Sequence, residues 1–259
     1  MARESKGIQS IEQGFRLLKH LQDANGPLPL KDLAAGAGMS PSTAHFYLSS
    51  YVRVGLVVQA GVGGQYDLGP AALRLGLAAL SRFDIVRRAR EAMFDLRKEA
   101  DGPILLSVWG NAGPTIINHL DGVHVSPLEG RVGMVLPALS ATGAVFLAHF
   151  PEDVSRKIIA TELARPGLAR SARFRSVKDI ERILRDVRKH GVARIEGLYG
   201  IGFIAVAAPI YDHEGTVRAV LTALADKLRS DTRIGGKLVK SLLGITRGIS
   251  MEVGWQRAQ

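Results

Sequence analysis

Between residues 28 and 68 the chain places its breakers where only a few folds can use them. Leu30 to Ala37 is long enough for two helical turns, and Gly38 tolerates the positive φ of a sharp turn. Ser40-Pro41 then opens a new helix. A serine hydroxyl can accept an orphan amide of the first turn, and proline's fixed φ suits the first helical position. Ser42, Thr43, Ala44, His45, Phe46, Tyr47 and Leu48 carry this helix to about Val54, and Gly55 stops it. Two strand-like runs, Leu56-Val57-Val58-Gln59 and Gln65-Tyr66-Asp67-Leu68, flank the glycine-rich loop Ala60-Gly61-Val62-Gly63-Gly64. Ahead of them, residues 8–22 repeat Ile11, Phe15, Leu18 and Leu17, Leu21 at spacings of three and four, which reads as one apolar helical stripe. Ser10 with Gln13 resembles a capping box, and Asn25-Gly26-Pro27 ends the helix. Helix, helix-turn-helix and hairpin in this order make a winged helix-turn-helix, whose second helix reads the DNA major groove.

Gly69-Pro70 punctuates the chain again. Residues 71–80, AALRLGLAAL, are apolar on nearly all sides, and such a helix must be buried. A small domain offers little to bury it against, so it reads as a linker helix packed on another subunit. Packing on the chain's own second half is the alternative. Beyond it, Ile85, Ala89, Met93, Leu96 and Ala100 mark a helix over 82–100. Strands at Ile104–Trp109 and Thr115–Leu120 flank a Gly110–Pro114 turn, and a short strand is expected near His124–Pro127. Residues 141–150 read as a buried helix and 154–163 as another. Ser176 is placed to cap a helix over 177–190. Strands Ile204–Tyr211 and Val217–Ala223 enclose the turn signal Asp212-His213-Glu214-Gly215, and a helix over about 231–252 closes the chain. Helices intermixed with a mostly antiparallel sheet make the second half α+β.

With that organisation in place, particular residues become informative. Leu33-Ala34, the run Gly38 to His45, Gly55-Leu56-Val57 and Tyr66-Asp67-Leu68-Gly69 resemble the DNA-binding domain of IclR-family bacterial transcription regulators. Gly133, Leu136-Pro137, Ser140-Ala141-Thr142-Gly143 and Phe146-Leu147-Ala148 resemble the family's effector-domain signature. Ala207-Ala208-Pro209 and Gly215 match its late strand pair. The resemblance implies an N-terminal winged helix-turn-helix (1–69), a linker helix (70–81) and a GAF-like α/β effector-binding domain (82–259). It implies homodimers or homotetramers, a double-stranded operator, and a small organic effector, often a carboxylate or aromatic metabolite. Binding of the effector changes operator binding or transcription, with repression or activation as outcome. The pattern departs from the family's at Phe46, Ala144 and Ala205, where Arg, a cation and Cys are common.

The DNA-reading candidates are Ser42, Thr43, His45, Phe46, Ser49 and Arg53. Hydroxyls and imidazole can bond base edges or phosphates, and Phe46 can meet a thymine methyl. Ser40 is the natural helix cap; Ala44, Leu48 and Tyr51 are core; for Phe46, core and DNA contact are both open. The helix carries no bidentate arginine fork, so readout leans on dimer geometry and DNA shape. Arg3 and Lys6 are further phosphate candidates. For the effector, Leu139, Ser140, Ala141 and Thr142 lie near a helix start whose free amides attract a carboxylate. Trp109, Met134, Leu136, Phe146 and Phe203 are candidate walls, and Asn118, His119 and Glu196 further polar groups. Leu136, Phe146, Trp109 and His119 also have plain core or surface readings.

The chain has 259 residues with no cysteine, which excludes disulfide scaffolds, thiolate zinc sites and cysteine nucleophiles. There is no nucleophile elbow, Walker loop or His-Glu-x-x-His, and Gly200-Ile201-Gly202 leads into an apolar run rather than a helix. Neither catalysis nor a cofactor or metal is expected. No stretch reads as a signal or membrane span, so a cytoplasmic protein without membrane contact is expected. The net charge is +10, yet residues 1–80 hold seven Lys+Arg against five Asp+Glu, while 161–259 hold eighteen against ten. Within 165–189 stand nine basic and three acidic residues, a solvated face or a surface for DNA flanks. A C-terminal half that only oligomerises and binds no effector is the other reading of this chain.

Overall fold

Three helices open the first part of the molecule: α1 (Gln9–Asp23), α2 (Leu30–Gly36) and α3 (Pro41–Arg53). The structure, a computed structural model, describes residues 7–24, 26–60, 64–82, 84–122, 130–164, 177–197 and 202–256. Two compact units divide the chain, Met1–Phe83 and Asp84–Gln259. In the first, Gly38 turns from α2 into α3 at φ +68°. The Ser40 hydroxyl accepts the Thr43 amide at 3.2 Å, so Ser40 caps α3, with Pro41 at the first helical position. Gly55, at φ +75°, leads into β1 (Val57–Ala60), which pairs antiparallel with β2 (Gln65–Leu68). Residues 61–63 of the hairpin loop lie outside the described residues, as do Arg3, Lys6 and Asn25. Leu17, Leu21, Leu33, Ala44, Leu48, Val57 and Tyr66 form the core, with Tyr47 and Tyr51 packed at its edge. Leu28 and Tyr66 exchange two backbone hydrogen bonds of 2.9 Å, which pin the loop before α2 to the wing.

Two expectations for α1 do not hold. The helix starts at Gln9 after Ile8, with no side-chain cap, so Ser10 is already inside it and the capping box is absent. Nor is the apolar stripe single. Gly14, Leu17 and Leu21 are buried, whereas Ile11 and Phe15 are exposed together with Ile8. Tyr51 and Tyr47 fix this choice of face: a Cβ on Gly14 would collide with the Tyr51 hydroxyl. The linker is one helix, α4 (Pro70–Arg82), and its own unit leaves Leu73, Leu75 and Leu77 exposed.

In the second unit, Asp84 caps α5 (Ile85–Leu96) by accepting the Arg87 amide at 3.0 Å. Then follow β3 (Ile104–Gly110), β4 (Gly113–Leu120), α6 (Ala141–His149), α7 (Glu152–Leu163), α8 (Val177–His190), β5 (Ala193–Glu196), β6 (Phe203–Tyr211), β7 (Val217–Asp226) and α9 (Lys237–Glu252). The five strands form one antiparallel sheet in the order β4-β3-β7-β6-β5. Alternation along the strands splits the side chains between two faces. Leu105, Ala205, Ala207, Val220 and Leu224 meet α6, against which α8 packs. The opposite face is covered by α5 and α9. Helices on both faces of an antiparallel sheet give the α+β architecture expected.

Several boundaries shift. The α5 pattern stops at Leu96 instead of Ala100, because Arg97 to Glu99 turn. The β3–β4 loop is only Asn111-Ala112, since Gly110 pairs with Gly113. Strand β5 has no expectation behind it: Ala193 and Ile195 do alternate with Arg194 and Glu196, but four residues are too short a run to mark a strand. The strand near His124–Pro127, the Ser176 cap and Arg170, Arg173 and Arg175 lie outside the described residues.

Gly143 sets the closest approach in this unit. A Cβ there would collide with the Ala138 carbonyl, a backbone atom that cannot swing away. Gly143→Ala should therefore lower stability by on the order of 3 kcal/mol, read as a lower urea midpoint at unchanged m-value.

Candidate nucleic-acid interface and effector site

Helix α3 divides its residues cleanly. Ala44 and Leu48 are fully buried, and Tyr51 is half-buried beside them. Ser42, Thr43, His45, Phe46 and Arg53 are exposed and Ser49 is half-buried. Phe46 is 75% exposed, so it is no part of the core. Ser40 Oγ lies 3.0 Å from Ser42 Oγ and 2.8 Å from Thr43 Oγ1, so the three hydroxyls share protons at the amino end of the helix. Ser50 instead bonds back to the Phe46 carbonyl at 3.1 Å. An exposed row of hydroxyl, imidazole and phenyl groups on a capped helix is the surface a major groove accepts.

The effector candidates separate into three kinds. Leu136, Leu139, Ala141 and Phe146 are buried in the core that joins α6 to the sheet. Leu139 borders a void of only about 10 Å³ shared with α8, which leaves no room for a ligand on that side. Ser140 and Thr142 are buried with their hydroxyls engaged. Ser140 accepts the Gly143 amide at 3.1 Å, and Thr142 Oγ1 sits 2.8 Å from Thr222 Oγ1 on β7. Met134, Trp109 and Phe203 are at least partly exposed. Trp109 stands edge-on to Phe146 and Phe150, with centroids 5.5 and 4.9 Å apart.

The structure does not bring all of these together. Phe203 pairs with Asp226. Trp109 lies two residues beyond Ser107, which pairs with Val220. The two rings therefore stand at opposite ends of the sheet, roughly 25 Å apart at about 3.3 Å per residue. Asn118 pairs with Leu106 and so faces α5 and α9, away from α6. Glu196 is bound to Lys227 at 2.9 Å.

Other residues belong in the layer under α6. His119, Leu105, Thr222 and Ala207 form one cross-strand row over four strands. The His119 Nε2 and Ser107 Oγ atoms are buried without a hydrogen-bond partner among the described residues. The amides of Ala141 and Thr142, first in α6, have no acceptor there either. Thr222 and Ser107 were open to sequence reading: each is a lone hydroxyl inside an apolar strand, as in VLTALA and ILLSVW. Ala144 and Ala205, the positions that depart from the family pattern, are buried in the same core. The described residues contain no group of three or more acidic or histidine side chains placed to hold a metal. Nor do they contain a helix long and apolar enough to cross a membrane.

Comparison with known proteins settles the relationship. Residues 10–61 match the IclR helix-turn-helix domain, and residues 77–251 match the bacterial transcriptional regulator IclR C-terminal domain. The chain belongs to the IclR family of transcriptional regulators. It is 28% identical over 255 residues to the glycerol operon regulatory protein of Streptomyces coelicolor, covering 96% of this chain and 98% of that one. The crystal structure of Pseudomonas aeruginosa HmgR superposes with a TM-score of 0.82 at 33% identity, covering 97% of this chain and all of that one. The fold also matches an IclR homolog from Microbacterium hydrocarbonoxydans complexed with 4-hydroxybenzoate, at TM-score 0.55 and 22% identity, over 94% of this chain and 98% of that one. These IclR-family relatives are regulators rather than enzymes.

The exposed row on α3 makes stability and DNA binding separable. Phe46→Ala and His45→Ala should leave stability within about 0.5 kcal/mol, because neither side chain is packed. Each should weaken operator binding in a mobility-shift titration by roughly tenfold, the low end of one lost base contact.

Proposed function

We propose that this IclR-family chain binds a pseudo-palindromic operator as a homodimer or homotetramer in the cytoplasm, and that a small organic carboxylate or aromatic metabolite in its second unit alters that binding. The observation that carries the DNA half is the exposed row Ser42, Thr43, His45, Phe46, Ser49 and Arg53 on a helix whose buried face is fully used. Arg53 has no ion pair among the described residues and is free to meet a phosphate. Assembly is supported by two uncovered apolar surfaces in the first unit, Ile8 with Ile11 and Phe15 of α1, and Leu73 with Leu77 of α4. A two-fold dimer doubles the reading surface and mirrors a palindromic site.

The effector half rests on the polar layer beneath α6. Buried polar groups are normally paired, and a group left alone costs about 1–3 kcal/mol. Here two helix-start amides, the Ser107 hydroxyl and the His119 imidazole all retain unused capacity beside the Thr142–Thr222 pair. Donors converging on one layer suit a carboxylate. The aromatic carboxylate bound by one relative of the same fold is of that class.

A domain that only oligomerises is the competing reading, favoured by the tight packing of residues 139–148. Calorimetry and operator titrations with 4-hydroxybenzoate and a panel of aliphatic carboxylates discriminate the two. No heat and no shift in operator affinity for any member would remove the sensor reading and leave the DNA reading intact. Ser107→Ala provides a sharper check. It removes an unpaired buried hydroxyl, so the melting temperature should hold or rise while the response to the active carboxylate falls.

A further inference from the structure

The described residues hold a concave site away from the layer under α6. It lies where α8 ends, Gly191 turns into β5, and the middle of α9 passes the far end of β6. The cavity is about 200 Å³ and is lined by Arg188 and Lys189 from α8, Arg247 from α9, Tyr211 and Trp255. None of its lining residues is acidic. Arg188, Lys189 and Arg247 form no ion pair among the described residues, in contrast to Arg88, which sits on Glu252 at 2.8 Å. Like charges gathered without a counter-charge repel one another, and a bound anion relieves that cost.

The walls are fixed before any ligand arrives. The Tyr211 and Trp255 rings stack at 4.8 Å with an interplanar angle of 11°. The Tyr211 hydroxyl lies 2.8 Å from His149 Nε2, and His149 Nδ1 lies 2.7 Å from the Val145 carbonyl. A carbonyl can only accept, so Nδ1 carries the proton and Nε2 accepts from Tyr211. Burial holds the His149 pKa below its usual value and keeps this arrangement neutral. Arg188 is tethered as well: its Nε donates to the Ala148 carbonyl at 2.6 Å. Gly191 makes the turn beneath it at φ +74°, a conformation that favours glycine.

The carbonyl end of α8 favours nearby cations and accounts for Arg188 and Lys189 in part. It does not account for Arg247, which comes from mid-helix on a different element. We propose that this cavity is a binding site for a compact polyanion, a phosphorylated or multiply carboxylated metabolite, separate from the effector layer. Guanidinium forks and an ammonium group together match phosphoryl or paired carboxylate oxygens. A concave site with aromatic walls fits a small ligand better than the convex backbone of a duplex.

Titration calorimetry on the full chain tests this, with inorganic pyrophosphate and citrate as probes, the two separating phosphoryl from carboxylate recognition. At about 0.15 M salt, attraction is screened beyond about 8 Å and only close contact registers. At least one probe should bind saturably at one site per chain. Arg247→Gln and Lys189→Gln should each weaken it about tenfold or more with a melting temperature that holds or rises; Arg247→Lys, which keeps the charge but loses the fork, should recover only part of the loss, and Lys98→Gln, remote from the cavity, should leave probe binding unchanged. Absence of saturable binding by both probes overturns the proposal, and so does binding that survives the double variant. Loss of operator affinity and salt slope in these variants, without anion binding, would make the surface a DNA contact and likewise overturn it. Operator and anion titrations are separate, so this site stands or falls independently of the regulatory reading above.

Discussion

A nine-residue helix with eight buried residues cannot stand at a surface, and the second unit is built around enclosing α6. The sheet supplies one wall and α8 another. Burying the amino end of a helix leaves amides without partners, which has to be met locally. Ser140 takes the Gly143 amide, Glu162 takes the Ala138 amide at 3.2 Å, and Thr142 finds Thr222 across the layer. Gly143 allows the preceding segment to fold back against the helix. The polar capacity left over there belongs to the first amides of α6, to Ser107 and to His119, inside a core that is otherwise apolar. Packing demand and a polar layer inside the core are thus two outcomes of the same burial.

Much of the architecture was legible because its signals are local. Gly38, Ser40-Pro41 and Gly55 each act through backbone geometry that neighbouring residues cannot override, and each falls at the boundary expected. Helix α8 likewise shows its buried face, Ile180, Leu184 and Val187, as a plain period. The failures have a different origin. The face that α1 buries depends on Tyr47 and Tyr51, distant in sequence, so periodicity alone merged two stripes into one. Edge strand β5 alternates Ala193 and Ile195 with Arg194 and Glu196, but so short a run marks a strand only once β6 pairs with it.

The candidate sites follow the same division. On α3, exposure could be read from helical spacing, and the ambiguity at Phe46 ended once Ala44 and Leu48 defined the buried side. In the second unit, the resemblance singled out 139–142 but not how those side chains are used. Ser140 proved to be a cap and Leu139 core, while Thr222 and Ser107 join the layer only through strand register. Trp109 and Phe203 are far apart for the same reason: alternation assigns a face, and only register assigns a position along it. Charge was the least informative signal. The excess lies mainly outside the reading helix, and on α8 the cations near its end gain meaning only beside Arg247, which folding brings from α9.

The Leu28–Tyr66 bridge closes a loop that contains the whole of α2, α3 and β1. Such a closure costs chain entropy that only the finished core returns. The turn, the reading helix and the wing are therefore unlike beads on a string, each with its own stability. They should open and close together as one cooperative unit. With the turn, the helix and the paired strands already in place, these elements lose little conformational entropy on meeting DNA, and damage to β1 or β2 would reach the reading helix without touching any residue that faces the groove.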